Sequence, residues 1–449
     1  MKLGGMKGFL LLWLGQAFSL LGGSMALFAV TLWIYQRTGQ ATPVALLGFF
    51  NLAPMVLFGL FTGALVDRHD RRWMILMSDL ASLVVNLFLI GFALSGSLAV
   101  GQLYVAAFVL GTFQTFQWPA TSAAVTEMVE KKHYARAASL LEMAGMSSGI
   151  LAPLLAGSLL AIIGLGGVLA LTALGSALAI VSVFFIALPP QSKVEAGTRP
   201  SLLLEVKEGL LYIVRRPPLV GLQSTFTLGN FFFTLSYSLL GPFILAKTHN
   251  NALAFGWVET AGAVGGLAGS GLIALLGGPR NKVFGILLGW VGVGLTGLLV
   301  IGLGPSLPYW ILGSFMGSAL GSLNYTSNQA LWQSKVPPDL QGRVFAVRRL
   351  IGMGFSPLAS LAAGPLADRL LEPAMRSGGA LVPLLGPVFG VGPGSGIAIL
   401  FAGCGLATAL VGTIAWFLPF TRNTETLIPD HDALSTPASE PGTRATGTS

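Results

Sequence analysis

Three carboxylates interrupt long apolar stretches of the chain: Asp79, Glu142 and Glu259. A lone acid at the middle of a bilayer costs about 2.5–3.5 kcal/mol on insertion scales, so each needs a partner, water or a proton. Glu259 has no base near it in sequence and is the first candidate for a proton or cation site. Asp79 and Glu142 are further candidates, with pairing to Arg72 or Arg136 as the structural alternative. A second chemical signal is a polar stripe: Gln223, Thr227, Asn230, Thr234 and Tyr237 recur at steps of four, three, four and three. That spacing places them on one helix face, which inside a membrane must meet protein or water. Gln114, Gln117 and Thr121 form a similar face, as do Asn324 and Asn328, and Gln16 and Asn51 add isolated polar groups. Phe113, Phe116, Trp118, Phe233 and Tyr325 lie among them. Neutral hydrogen-bonding groups set in aromatic surface suit a bulky amphipathic organic molecule better than a small ion. Polar packing between helices is the alternative for any single residue.

Other chemistry finds little support. All four histidines, His69, His133, His249 and His431, fall in loops or the C-terminal tail. The single cysteine, Cys404, can form neither an intrachain disulfide nor a multi-cysteine metal site. No metal, no cofactor and no enzymatic activity are expected. No Gly-Lys dipeptide occurs, so a phosphate-binding loop of the Walker type is absent. Gly292, Gly294 and Gly297 match the dinucleotide fingerprint in spacing, but they lie inside an apolar run rather than after a strand.

The elements that must position these groups follow from composition. Of the 449 residues, 53% are hydrophobic and 9% charged, against roughly 25% charged in soluble domains. A hydrocarbon core of about 30 Å takes roughly 20 apolar helical residues. Twelve runs qualify, at residues 9–35, 43–66, 73–95, 99–126, 138–162, 166–188, 218–246, 253–276, 283–303, 307–333, 343–368 and 396–419. With the N-terminus inside, all but Arg37, Lys247, Arg369 and Arg376 of the 25 Lys and Arg fall on the cytoplasmic side, as the positive-inside rule requires. The formal charge of +8 thus reads as orientation in a membrane, with no nucleic-acid partner. The expectation is an all-α integral membrane protein of twelve spans with both termini cytoplasmic. Residues 1–188 form one six-helix bundle and 218–419 the other. The connection 189–217 carries Leu202, Leu203, Val206, Leu210 and Ile213 at helical spacing, which predicts an amphipathic helix on the inner surface. Residues 420–449, rich in Ser, Thr, Pro and Asp, are expected to be a disordered cytoplasmic tail.

A degenerate internal repeat relates the halves. The second run ends in Gly59, Gly63, Asp67, Arg68, Arg71 and Arg72, and the eighth in Gly277, Gly278, Pro279, Arg280, Asn281 and Lys282. The segment Gly63-Ala-Leu-Val-Asp67-Arg68-His-Asp-Arg71-Arg72 resembles the signature of the major facilitator superfamily, with Asp70 where a glycine is usual. Two further segments resemble that superfamily's efflux branch of macrolide and siderophore exporters. They are Trp332-Gln333-Ser-Lys335-Val-Pro-Pro-Asp339-Leu-Gln341-Gly342-Arg343-Val-Phe and Gly364-Pro-Leu-Ala-Asp368-Arg369-Leu-Leu-Glu372.

The resemblance implies alternating access, in which two bundles rock about a central site. It implies that Gly63, Asp67 and Arg68 belong to an inner gate, with Asp67 facing the region from Arg343 to Arg349 and Arg71 or Arg72 meeting Glu127. Two departures stand out: Ala107 occupies the place of an arginine common in the fourth span of drug/proton antiporters, and the fifth span carries only Ala152-Pro153-Leu-Leu-Ala-Gly157 in place of paired glycines around a proline. The function expected is export of a bulky organic compound, such as a drug, macrolide or siderophore, by proton antiport from a bacterial inner membrane. Its partners would be the substrate, protons and membrane lipids, and the chain would act as a monomer. Import on the same fold and a lipid-handling role are the alternatives.

Overall fold

The computed structural model describes residues 3–68, 70–186 and 202–431. Helices run through each of the twelve apolar stretches. In the N-terminal half these are α1 (Gly5–Thr38), α2 (Ala41–Arg68), α3 (Arg71–Leu94), α4 (Val100–Met128) and α5 (Tyr134–Phe184). The last is two helices divided at Gly164, whose φ of 65° and ψ of −178° only glycine adopts readily. This break falls in the gap expected between the fifth and sixth runs. The C-terminal half holds α7 (Pro217–Tyr237), α8 (Leu240–Lys247), α9 (Ala252–Leu276), α10 (Lys282–Gly292), α11 (Leu299–Leu303) and α12 (Leu307–Lys335). Beyond them lie α13 (Pro338–Met353), α14 (Ser356–Pro365), α15 (Glu372–Ala374), α16 (Val382–Phe389) and α17 (Ser395–Phe417). Among the described residues no strand forms beyond one isolated bridge, Leu3 to Ile186, and nine helices are long and apolar enough to cross a membrane.

Small residues set the helix spacing in the C-terminal half. Gly262, Gly265 and Gly269 of α9 lie where any side chain would strike Ser314, Phe315 or Ala319 of α12. Without hydrophobic drive between helices in lipid, such close backbone approach supplies the packing energy. The apparent dinucleotide fingerprint has the same explanation. It runs from the last residue of α10, Gly292, into the π-helical turn Val293–Leu298, with Gly294 against Gly405 and Ala409 of α17 and Gly297 against Gly317 of α12.

The two halves meet mainly at the end of the molecule opposite the chain termini. Phe28 stacks on Phe255 with ring centroids 4.5 Å apart. Thr260 Oγ1 donates to the Ile150 carbonyl at 3.1 Å, and Ser360 Oγ donates to the Ala45 carbonyl at 2.8 Å. The Asp368 carboxylate accepts from the Ala41 and Thr42 amides. Near the midpoint of α2, Arg349 Nη2 lies 3.9 Å from Met55 Sδ.

The connection between halves contains the expected amphipathic helix, α6 (Leu202–Val214); residues 187–201, and the side chains of Leu202 and Leu203, lie outside the described residues. Its apolar face is covered by protein in part, with Leu210 left exposed. Ile213 is buried, Val206 and Tyr212 pack on the same cluster as Val344 and Val347 of α13, Glu208 pairs with Arg343, and Tyr212 Oη donates to the Lys335 carbonyl at 2.7 Å.

Residues 420–431, expected within a disordered tail, are folded instead. Short helices α18 (Pro419–Arg422) and α19 (Thr424–Leu427) bring Lys335 Nζ to the carbonyls of Glu425 and Ile428 and to Asp430 at 2.8 Å. Glu425 Oε1 accepts the Lys282 amide at 2.8 Å. Lys335 is only 5% exposed, and a buried ammonium needs such oxygen partners. That requirement overrides the polar composition of the segment. Residues 432–449 lie outside the described residues.

Candidate substrate cavity

A cavity of about 310 Å³ opens among α1, α2, α3, α4 and α5. Its wall includes Gln16, Asn51, Gln114 and Gln117, four of the expected substrate residues, together with Thr121. Trp13, Phe113 and Trp118 supply aromatic surface. Thr121 Oγ1 is buried, with no hydrogen-bond partner among the described residues.

Directly behind this wall lies Asp79, 1% exposed. Its partners are neutral. Gln16 Nε2 donates to Oδ2 at 2.7 Å, Ser19 Oγ to Oδ1 at 3.1 Å, and Gln117 Nε2 to Oδ1 at 3.0 Å. Gln117 Nε2 also lies 3.0 Å from Gln16 Oε1, closing the network. The alternative pairing with Arg72 does not form, since that guanidinium lies over the Phe184 ring at 6.0 Å. Gln16, Ser19 and Gln117 all line the cavity, so they connect the hidden carboxylate to whatever the cavity holds. A buried charge served by several hydrogen bonds is tolerated, whereas one left without them is not.

The other acids differ. Glu259 Oε2 accepts a hydrogen bond from Tyr237 Oη at 2.8 Å, and Tyr237 stacks on Phe233. Glu142 is exposed.

The polar stripe of α7 is for the most part spent on packing. Gln223, 3% exposed, donates to the Arg348 carbonyl at 3.0 Å. Thr227 Oγ1 bonds the Gln223 and Ile351 carbonyls, and Thr234 reaches Ser356 Oγ at 3.4 Å. On α12, Asn324 Nδ2 donates to the Ile286 carbonyl at 2.7 Å and Asn328 is 2% exposed. Among the described residues, no hydrogen-bond partner reaches the buried Nδ2 atoms of Asn230 and Asn328. α13 and α14 cover this face. Of the stripe, Tyr237 stands clear, at 45% exposure.

The expected inner-gate residues are described in part. Arg71 Nη1 donates to the Ala123 carbonyl at 3.0 Å, one helical turn before Glu127 on α4. Arg343 pairs with Glu208 of α6. The burial and contacts of Gly63, Asp67, Arg68 and Glu127 lie outside the described residues.

Sequence reasoning did not find Ser19, although it lies three residues after Gln16 on one face of α1. It also missed Arg348, a base 8% exposed whose guanidinium lies over the rings of Trp332 and Phe345 at 5.1 and 5.6 Å.

Residues 12–361 match the model of the Major Facilitator Superfamily. The chain belongs to that superfamily. Macrolide efflux protein A of Streptococcus pyogenes is 25% identical over 81% of this chain and 90% of its own. The multidrug efflux pump Tap of Mycolicibacterium fortuitum is 24% identical over 89% and 93%. Among solved structures, the nucleoside transporter NupG superposes with a TM-score of 0.68 at 10% identity, covering 91% of this chain and 99% of NupG. A bacterial homolog of the human lysosomal transporter Spinster, in an inward-facing and unoccupied conformation, gives 0.65 at 16%, over 93% and 98%. These structures share the fold, and membership of the superfamily makes this all-helical chain a membrane transporter.

Proposed function

We propose that this facilitator exports a bulky amphipathic organic compound, of macrolide or similar multi-ring type, in exchange for protons. The observation that carries this reading is the cavity of the N-terminal half with Asp79 behind its wall. The aromatic surface of Trp13, Phe113 and Trp118 takes the apolar body of the compound, and Gln16, Asn51, Gln114 and Gln117 take its polar groups. Similarity to efflux proteins of two bacterial genera supports the outward direction.

Asp79 supplies the coupling. As a carboxylate it occupies the amides of Gln16 and Gln117 and the hydroxyl of Ser19. Once protonated it accepts more weakly and must itself donate, and Gln16 Oε1 is the acceptor at hand. The proton thereby frees donors toward the cavity and changes the hydrogen-bonding face that the substrate meets. Glu259, with Tyr237 as donor, is a second titratable position.

With both termini cytoplasmic, as the distribution of basic residues supports, the contacts of Phe28, Phe255, Asp368 and Ser360 close the outer end, and the cavity is reached from the cytoplasm. The site is then placed to load substrate for export.

The deciding experiment uses inside-out membrane vesicles and a labelled macrolide. Uptake on acidifying the lumen, collapsed by a protonophore, is expected. Gradient-driven accumulation of the same compound by intact cells, lost on deleting the gene, would overturn the outward direction.

A further inference from the structure

The second run and the eleventh run end in the same pattern. Residues 63–68 read Gly63-Ala-Leu-Val-Asp67-Arg68, and residues 364–369 read Gly364-Pro-Leu-Ala-Asp368-Arg369. α2 and the helix formed by α13, α14 and the residues after them run antiparallel against one another. Each pattern therefore ends one helix beside the start of the other, at opposite ends of the molecule.

At the end away from the termini, the geometry is fully described. Asp368 Oδ1 accepts the Ala41 amide at 3.0 Å, and Oδ2 accepts the Thr42 amide at 2.7 Å and the Thr42 hydroxyl at 2.6 Å. Ala41 and Thr42 open α2, so the carboxylate satisfies orphan amides where the helix dipole favours a negative charge. The cap comes from the other half of the molecule, 326 residues along the chain. Two features build it. Gly364 lies where a side chain would collide with the Thr42 backbone, which lets the helices touch. Asp368 also lies in a π-helical turn, Leu366–Leu371, a local widening that redirects side chains and recurs at functional sites. One turn before Gly364, Ser360 Oγ donates to the Ala45 carbonyl and extends the seam.

We propose that Asp368 is the positioning residue that holds the outer gate shut, and that it releases α2 each time the transporter opens outward. A helix N-terminus in an opened, wet gate regains water as its partner, so the cap binds one state only. A group that binds one of two states moves their ratio by its differential affinity. The shared pattern makes Asp67 the counterpart at the opposite end, favouring the state in which the inner side is closed. The proposal rests on the alternating-access reading, but its test requires no substrate and no proton gradient.

The test is the distance across the outer end, measured by electron-electron resonance in nanodiscs between spin labels at Gln40→Cys and Ser377→Cys, with Cys404→Ser as background. The parent should show mainly the short distance. Asp368→Asn should raise the long-distance population relative to the short about tenfold, in line with loss of a charge-assisted capping network. Thr42→Val, which removes only the hydroxyl, should shift it in the same direction by less. Asp67→Asn should act in the opposite sense, and the double variant should fall between. Helix content and detergent monodispersity report whether each variant is folded. Unchanged outer distances in folded Asp368→Asn and Thr42→Val would overturn the proposal, as would a shift of Asp368→Asn toward the short distance. Loss of macrolide transport with the distance shifts intact would instead count only against the substrate assignment.

Discussion

Two buried charges, one from each half of this transporter, are held by opposite means. In the N-terminal half Asp79 is surrounded by polar side chains from α1 and α4 that also line the cavity. In the C-terminal half Arg348 sits against the faces of Trp332 and Phe345, with Gln329 Oε1 at 3.3 Å from Nη1. An aromatic face stabilises a cation without accepting or releasing a proton, and an arginine stays protonated over the physiological range. A carboxylate held by amides and a hydroxyl can exchange its proton for a rearranged network. On the proposed mechanism, switching belongs to the first half and fixed scaffolding to the second.

Substitutions can break that division. The largest effect is expected from Asp79→Asn, which keeps the shape and removes the charge. Gradient-driven flux in proteoliposomes should fall by about 10- to 100-fold, the equivalent of a charged hydrogen-bond network at about 1.5–3 kcal/mol. Substrate exchange without a gradient should persist. Equal loss of both activities would remove Asp79 from coupling. Next comes Arg348→Lys, in which the planar contact with two rings is lost. A drop in thermal stability worth about 1–2 kcal/mol is expected, with the pH profile of transport unchanged. A displaced profile would show that the second half also takes part in switching. Glu259→Gln retains an acceptor for Tyr237 and should lower flux by less than about threefold. Abolished coupling in this variant would move the proton site to the C-terminal half.

The smallest effect concerns Asp430. The Lys335 ammonium holds its carboxyl below the ordinary value, so its contribution to stability is complete above the ordinary carboxylate range and disappears as the pH falls through the lowered value. Because Asp430 is largely solvent-exposed, Asp430→Asn should cost about 0.5 kcal/mol or less, read as a small fall in melting temperature at neutral pH that vanishes in acid.

The fold was legible because the requirement for uninterrupted backbone hydrogen bonding in lipid turns hydropathy into helices almost directly. The site was legible unevenly. Gln114 and Gln117, marked by their periodic spacing, lie in the wall of the cavity. Gln223 and Thr227 carry the same periodic signature, yet α13 covers them, and periodicity does not distinguish a cavity from a neighbouring helix. Asp79 was visible as a costly acid, but its three donors come from two other helices, 38 to 63 residues away, and no local pattern announces them. Asp368 was visible only as a motif letter, since the amides it caps belong to the other half. The segment 420–431 looked disordered by composition because nothing local indicates that Lys335 requires its carbonyls.

The docking of α6 on α13, through Glu208, Tyr212 and the buried Ile213, has a practical consequence. The helix that links the halves in sequence belongs physically to the second one. A gene cut between the codons for residues 186 and 202 should therefore yield two polypeptides, each carrying its own complete set of packed helices. Co-expressed in one membrane, they should pair through the stack of Phe28 on Phe255 and the seam along Ser360 without a covalent tether. Such a split transporter would allow the two halves to be labelled, swapped between relatives and evolved separately.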